Sequence, residues 1–404
     1  MNSKVEPRTL KGFRDFLPKE ARKRAYVIET LRKVFESYGF EPLETPALEY
    51  EDILMGKYGE EGDKLMYRFE DNGQRRVALR YDQTVPLARV IAQYQNELPM
   101  PFKRYQMQNV WRAENTQKGR FREFLQCDID TIASATPEAD AEIIACAATC
   151  LRALGFEKFR FYINDRNVFE DISKVTVSAI DKLKKIGEEM VIEELVTRGE
   201  YDSPENAQEA ILAIKRSDPT PWIQLVIKKA LEMGVMEEQI EFLPTLARGL
   251  DYYTSTIIEL EIEGYTAGSV GGGGRYDNLV GMFGNQQMPA VGFAFGFDRL
   301  IEAMEENGLF EKMENKAVLV LSSPEFESLT LNICDALRYK KINAECCLDL
   351  NASYEKQFKY AEKKGIPYVV VPISETQVEL RTKSKAGEIV KKTISIDALP
   401  NEII

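Results

Sequence analysis

The fold is decided by one continuous stretch of the chain, FKRYQMQNVWRAENTQKGRFREF, which covers residues 102–124. Two strand-like runs, Tyr105–Arg112 and Phe121–Ile129, flank the polar loop Glu114–Gly119. Aromatic residues on either side of a short polar segment with glycine favour two strands joined by a loop. We therefore predict a strand, a basic loop and a returning strand.

The same stretch is basic although the chain as a whole is acidic. The formal net charge of −12 over 404 residues argues against non-specific nucleic-acid binding through the entire surface. Between Pro101 and Glu123, however, there are six basic side chains and two acidic ones. Arg112 in particular suits a bidentate contact with a phosphate or a carboxylate. The stretch predicts a phosphate partner, although a solvated hairpin with ordinary surface charges fits these residues equally well.

The composition excludes several classes of chemistry. The chain contains no histidine, so it can hold no Ser-His-Asp or Cys-His nucleophile system, no HExxH metal site and no histidine general base. None of its six cysteines forms a CxxC pair, and we expect reduced thiols in a cytoplasmic protein without a metal site of its own. Any catalysis must depend on carboxylates, arginine, lysine, tyrosine and backbone groups.

No segment of the sequence suggests a membrane protein. No run of 18 or more apolar residues is present, and the first residues lack the apolar core of a signal peptide. We expect no membrane association.

The hydrophobic patterns along the chain predict two or three domains. Amphipathic or apolar helices are expected over Glu20–Tyr38 and Pro137–Leu154, and a hairpin over Leu65–Leu79. The stretch from Asn164 to about Ile240 is helical and charged, as in an inserted module. From Ala317 onward the order β-α-β-α-β predicts a small α/β domain with a mostly parallel sheet.

The predicted fold class is an α+β core, in which helices flank an antiparallel sheet, with a helical insertion and a C-terminal α/β domain. Its predicted boundaries are residues 1–163 and 241–316 for the two parts of the core, 164–240 for the insertion and 317–404 for the last domain.

Three segments resemble the sequence motifs of class II aminoacyl-tRNA synthetases. Residues 102–124 resemble motif 2, VGFAFGFDRL at residues 291–300 resembles motif 3, and Pro42–Leu48 resembles motif 1. By this resemblance the core is a class II catalytic domain, with motifs 1 and 2 in its first part. Motif 1 implies a homodimer, and the last domain is expected to resemble an anticodon-binding domain.

Further segments resemble the histidyl-tRNA synthetase family within that class. They are RGLDYYT at 248–254 and GGRYD at 273–277, together with LRYDQT at 79–84, QCDID at 126–130 and KGFRDFLP at 11–18. The resemblance implies ATP-dependent ligation of L-histidine to tRNA-His through a histidyl-adenylate, with Mg²⁺ as cofactor.

The resemblance also implies roles for individual residues in ATP binding. Arg112 is expected on the α-phosphate as a catalytic residue, Glu114 near the adenine, and Arg299 on the adenine and the γ-phosphate. Arg120 would assist ATP binding, and the loop Asn115–Gly119 would reach the acceptor end of the tRNA.

A second set of residues is expected to bind histidine. Asp82 and Thr84 would hold the α-amino group, and Asp130 would accept an imidazole N–H. Arg248 would stabilise the reacting carboxylate and the α-phosphate as the second catalytic residue. The remaining residues that are expected to face the amino acid are Gln126, Tyr252, Tyr253 and Tyr276.

Two other functions remain open at this point. A catalytically inactive paralogue could serve as the regulatory subunit of an ATP phosphoribosyltransferase, or as a module that senses tRNA. Retention of Arg112, Arg248 and Arg299 favours the enzyme, and the RGLDYYT segment disfavours a synthetase for another amino acid. The absence of histidine from the chain fits either selection or engineering.

Overall fold

In the computed structural model of the chain, the strands predicted within residues 102–124 lie side by side in a large sheet. Phe102–Trp111 and Glu123–Ile132 pair as antiparallel strands. The two predicted strands are therefore confirmed, whereas residues 117 and 118 of the predicted loop lie outside the described residues. The structure describes residues 5–116, 119–247, 252–284, 286–312, 316–383 and 388–403.

The chain divides into two compact units, Met1–Phe310 and Glu311–Ile404. The strands of the first unit are β1 Glu41–Pro42, β2 Leu48–Tyr50, β3 Arg68–Glu70, β4 Arg76–Leu79, β5 Phe102–Trp111, β6 Glu123–Ile132, β7 Phe159–Asp165, β8 Ile240–Phe242, β9 Thr256–Ile262, β10 Gly271–Arg275 and β11 Ala290–Gly296. Its helices are α1 Pro18–Ser37, α2 Glu51–Leu54, α3 Gly59–Leu65, α4 Thr84–Tyr94, α5 Pro137–Ala153, α6 Lys174–Ile180, α7 Leu183–Ile186, α8 Glu188–Thr197, α9 Pro204–Lys215, α10 Pro221–Glu232 and α11 Phe297–Glu306.

The large sheet has the strand order β1-β5-β6-β11-β10-β9-β7-β8 over the described residues. Its neighbouring strands are antiparallel except at the two ends, where β1 is parallel to β5 and β8 is parallel to β7. The predicted α+β core with an antiparallel sheet is thus confirmed. The predicted hairpin is also present, as strands β3 and β4 of a separate small sheet with the order β2-β4-β3.

Helices cover one face of the large sheet. Successive side chains on a strand point to opposite faces, so every second residue of β5, β6 and β11 packs into one apolar core. That core includes Ile129 and Phe293, and it also holds Leu31 of α1, Ile144 of α5 and Leu300 of α11. The opposite face of the central strands stays clear of these helices and carries polar side chains.

The segment predicted as an insertion contains helices α6–α10. Helices α6, α8 and α9 share a small core of their own, which includes Ala179, Leu195 and Ile211. Helix α10 instead packs through Ile223 and other residues into the main core beneath the large sheet.

The second unit is built on its own sheet. Its strands are β12 Val318–Val320, β13 Ala344–Cys346, β14 Tyr368–Pro372, β15 Gln377–Lys383 and β16 Ile389–Ser395, and its helices are α12 Glu327–Tyr339, α13 Tyr354–Lys364 and α14 Leu399–Ile403. Strands β13, β12 and β14 are parallel neighbours, which agrees with the predicted β-α-β-α-β order. Strands β15 and β16 then add an antiparallel hairpin beside β14, so the sheet is more mixed than predicted.

Among the described residues, no helix combines the length and the apolar character that a membrane span requires.

A buried ion pair lies between the end of β10 and helix α5, on the face of the sheet that the helices cover. Arg275 of β10 is 3% exposed and binds the carboxylate of Asp140 in α5, which is fully buried. Its guanidinium also donates to the carbonyl oxygens of Ser134, at 2.8 Å, and Thr136, at 3.2 Å. These contacts hold the β10 strand end against the start of α5.

We expect Arg275→Ala to lower the free energy of unfolding by about 3–5 kcal/mol, because the buried Asp140 carboxylate would lose its partner. Arg160→Ala is the control, since Arg160 pairs with Glu241 at 2.6 Å while 46% and 45% of the two side chains are exposed. Removal of such an exposed pair should cost at most about 1 kcal/mol. Urea unfolding measures both variants, and equal losses would show that the Arg275 pair does not stabilise the fold.

Candidate active site

The polar face of the large sheet forms the floor of a cleft. Arg104 and Gln106 of β5 alternate with the apolar residues of that strand, and Asp128 and Asp130 do so on β6. These four side chains are all buried. Since β11 and β10 contribute mainly glycine and alanine to this face, a ligand can lie directly on the backbone of the sheet.

One row of paired residues crosses the middle of this floor. Arg104 pairs with Asp130, and Asp130 pairs with Gly292. The distance from Arg104 Nη2 to Asp130 Oδ2 is 2.7 Å, and the Arg104 side chain is fully buried. The Tyr276 hydroxyl donates to Asp130 Oδ1. A Cβ atom at residue 292 would overlap the Asp130 carboxyl group, so this position requires glycine.

The charge state of this row follows from its burial. Burial raises the pKa of the Asp130 carboxyl, whereas Arg104 and the Tyr276 hydroxyl act to lower that pKa. Burial and the Asp130 charge raise the pKa of the Tyr276 phenol well above its usual value. Tyr276 therefore remains a hydrogen-bond donor, and the ion pair with Arg104 favours the ionised form of Asp130.

Asp82 lies at the start of α4, where it binds backbone N–H groups. Its Oδ1 accepts from Thr84 N at 3.1 Å, from Val85 N at 3.2 Å and from the Tyr58 hydroxyl at 2.8 Å. Burial raises the pKa of the Asp82 carboxyl, and these three hydrogen bonds oppose that shift. A carboxylate at a helix N-terminus is also favoured by the helix dipole.

The arginine side chains predicted for ATP binding also line the cleft. Arg112 Nε donates to the Tyr81 carbonyl oxygen at 3.1 Å, and its guanidinium carbon lies 4.3 Å from the Tyr81 ring centroid. Arg299 Nη1 donates to the Ser269 carbonyl oxygen at 2.7 Å. Arg120 pairs with Glu114 at 3.5 Å while 46% of its side chain is exposed. Each guanidinium thus has an anchor that orients it.

The cleft has a volume of about 380 Å³, and it brings together every predicted site residue that the structure describes. Arg248 lies outside the described residues. The predicted residues that line the cleft are Asp82, Thr84, Arg112, Glu114, Arg120, Gln126, Asp130, Tyr252, Tyr253, Tyr276 and Arg299.

Several residues of the site were missed by sequence reasoning. Arg104 belongs to the basic stretch that was predicted to bind a phosphate, whereas the structure buries its side chain against Asp130. Tyr58 and Gly292 were not singled out, although each contacts or makes room for a carboxylate of the cleft. Asp128 also lines the cleft, and its spacing of two residues from Asp130 on a strand is the signal that could have identified it.

The N-terminal segment KGFRDFLP contacts the start of α11, beside Arg299. Arg14 Nη2 lies 2.9 Å from Asp298 Oδ1, and the Arg14 guanidinium carbon lies 3.2 Å from the Phe121 ring centroid. Arg24 of α1 reaches the same Asp298 oxygen at 2.6 Å. Arg14 thereby links the segment that leads into β6 to the start of α11.

Known proteins resemble this chain over most of its length. The sequence model described as histidyl-tRNA synthetase matches residues 12–219 and 222–300. A histidine–tRNA ligase from Christiangramia forsetii is 38% identical, covering 91% of this chain and 92% of that protein. Another, from Aeropyrum pernix, is 41% identical and covers 89% of both chains.

A solved structure extends the similarity to the fold. The crystal structure of histidyl-tRNA synthetase from Nostoc sp. PCC 7120 superposes with a TM-score of 0.83 at 32% sequence identity, and the alignment covers 99% of each chain. With the family match and these relatives, this similarity shows that the chain belongs to the histidyl-tRNA synthetase family.

Proposed function

We propose that this protein joins L-histidine to tRNA-His in an ATP-dependent reaction. The observation that carries the proposal is one cleft that contains both the buried Asp130 carboxyl group and anchored arginines such as Arg112. The carboxyl group would recognise an amino acid with hydrogen-bonding groups on its side chain. The arginines would bind the phosphates of ATP, and the family match specifies histidine as the amino acid.

The first step activates histidine. An oxygen of the histidine carboxylate attacks the α-phosphorus of ATP, the bond to the bridging oxygen breaks, and pyrophosphate leaves with that electron pair. Arg112 would contact the α-phosphate and Arg299 the adenine and the γ-phosphate, while Arg120 and Glu114 complete the nucleotide site. The role of Arg248, which would stabilise the reacting carboxylate and the α-phosphate, is proposed from the resemblance alone. The step depends on positioning and charge neutralisation, so it needs no histidine side chain from the protein.

The second step transfers the amino acid. The terminal ribose hydroxyl of tRNA-His attacks the carbonyl carbon of histidyl-adenylate, AMP leaves, and the hydroxyl proton is released. No protein nucleophile takes part. The motif 2 loop is the segment proposed to reach the tRNA acceptor end, and the second unit is proposed to bind the anticodon.

Specificity for histidine is proposed to come from the buried end of the cleft. Asp130 would accept an imidazole N–H, with Tyr252, Tyr253 and Tyr276 around the ring. Asp82 and Thr84 would hold the α-ammonium group, and Gln126 would face the amino acid. An apolar side chain in the same place would leave buried polar groups without partners, which costs several kcal/mol and so rejects such analogues.

Mg²⁺ is proposed to arrive with ATP. Mg²⁺ at nucleotide sites is commonly held by substrate phosphates with one or two carboxylates, rather than by a dedicated protein cage. No cluster of three or more His, Cys, Asp or Glu side chains that could hold a metal ion is found among the described residues. The ion would supply positive charge to the phosphates during the reaction.

A homodimer is proposed to form around motif 1. Strand β1 ends the large sheet beside β5, and the neighbouring small sheet carries exposed apolar side chains. Leu48, Tyr50 and Phe69 are 42%, 55% and 43% exposed in the single chain. Apolar side chains that cluster at a surface in this way are typical of interaction sites.

ATP–pyrophosphate exchange with each of the twenty amino acids tests the proposed function. We expect exchange with histidine alone, because only histidine can satisfy the buried polar groups of the cleft. Exchange with another amino acid would refute the assigned specificity. An absence of exchange from folded protein that still binds tRNA would instead identify a catalytically inactive relative.

We expect Arg112→Ala to lower kcat/KM for ATP in this exchange by about 100- to 1,000-fold, the usual effect of removing one preorganised charge-stabilising group. Arg75→Ala is the matched control, because Arg75 is 62% exposed and pairs with Asp71 in the β3–β4 turn. That variant should keep wild-type kinetics. If Arg112→Ala also keeps them, Arg112 does not act on the phosphates.

A further inference from the structure

The cleft contains a buried carboxyl group to which the proposed function gives no role. Asp128 lies on β6 between Gln126 and Asp130, and it faces the same side of the sheet as both. Its cross-strand neighbours are Gln106 on β5 and Ala294 on β11. Asp128 is 3% exposed and lines the cleft. A carboxyl group in such a position contacts whatever occupies the cleft.

Asp128 differs from the other two carboxyl groups in its contacts. Asp130 binds Arg104 through one oxygen and the Tyr276 hydroxyl through the other. Asp82 Oδ1 accepts three hydrogen bonds from protein donors. Within the described part of the chain, Asp128 Oδ1 is buried and has no hydrogen-bond partner. Buried polar atoms without partners are rare and costly, so a substrate in the cleft can supply the partner that this oxygen lacks.

The surrounding charges favour an uncharged Asp128. Burial raises the pKa of the Asp128 carboxyl well above its usual range, and the Asp130 and Asp82 charges raise it further. Arg104 and Arg112 oppose this shift. Arg104, however, contacts Asp130 directly at 2.7 Å. When carboxyl groups share one buried site, at least one of them retains its proton. Asp130 has its ion pair with Arg104 and Asp82 accepts three hydrogen bonds, whereas Asp128 Oδ1 has no partner in the described structure.

The histidine side chain has the complementary pattern. A neutral imidazole ring has one N–H donor and one nitrogen acceptor. Ionised Asp130 can accept from the N–H, and protonated Asp128 can donate to the other nitrogen. Residues two apart on a strand are separated by about 7 Å, which accommodates an imidazole ring with a hydrogen bond on each side.

We propose that Asp128 is a specificity-determining residue, whose uncharged carboxyl group donates a hydrogen bond to the ring nitrogen of histidine that does not bind Asp130. This inference rests on the proposed function and adds a second contact to the side chain of the substrate. The two carboxyl groups together distinguish imidazole from rings that lack either the donor or the acceptor.

Two substitutions of Asp128 test the inference by ATP–pyrophosphate exchange. Asp128→Ala removes the hydrogen bond, and we expect a loss of about 10- to 100-fold in kcat/KM for histidine, with an unchanged KM for ATP. Asp128→Asn keeps the shape, an N–H donor and a neutral charge. It should therefore recover most of the loss, to within about fivefold of the wild type. Glu241→Gln on β8, whose carboxylate is 45% exposed, is the surface control.

Three outcomes would overturn the inference. A wild-type KM for histidine in Asp128→Ala would show that no contact exists. Equal losses for histidine and ATP would indicate a merely structural role, and thermal unfolding of each variant checks that the fold persists. If Asp128→Asn is as impaired as Asp128→Ala, an uncharged hydrogen-bond donor at residue 128 does not account for histidine binding. If the wild-type protein itself fails to exchange with histidine, the proposed function fails instead, so the two failures are distinguishable.

Discussion

The buried contact between Arg104 and Asp130 is the constraint around which the catalytic unit is arranged. Two charged groups removed from water are stable only with close geometry and further hydrogen bonds. The 2.7 Å approach and the Tyr276 hydroxyl supply these contacts to Asp130, whereas the buried guanidinium nitrogens of Arg104 have no hydrogen-bond partner among the described residues. Gly292 then leaves space for the carboxyl group on the next strand. The pair sits on the polar face of a sheet whose other face is fully packed, and this rigid support fixes its position.

This arrangement explains how a chain without histidine can activate histidine. The cleft offers carboxyl groups, phenols and arginines. The carboxyl groups of Asp128 and Asp130 are held by one strand of the large sheet. Adenylate formation and acyl transfer between bound substrates need positioned charges and no protein nucleophile. The chemistry of the proposed reaction and the composition of the chain therefore agree.

Much of the fold and site could be predicted because the signals were local. The strand-like runs Tyr105–Arg112 and Phe121–Ile129 identified β5 and β6, and short motifs identified Asp82, Arg112 and Asp130, which the structure places in one cleft. Other features depend on pairing between distant segments. Burial of Arg104 requires the register with Asp130, and the antiparallel strands β15 and β16 lie beyond the β-α-β-α-β order that the sequence predicted. The lack of a hydrogen-bond partner at Asp128 Oδ1 could be recognised only from the positions of the surrounding side chains in the fold.

The most direct test is calorimetric titration of Gly292→Ala with histidine and, separately, with ATP. A methyl group at residue 292 would displace the Asp130 carboxyl group from the row that it forms with Arg104, while it would leave the contacts of Arg112 with Tyr81 and of Arg299 with Ser269 in place. The arrangement described here predicts loss of histidine binding with ATP binding retained. Histidine affinity equal to that of the wild type would show that the Asp130 row is not the amino-acid site.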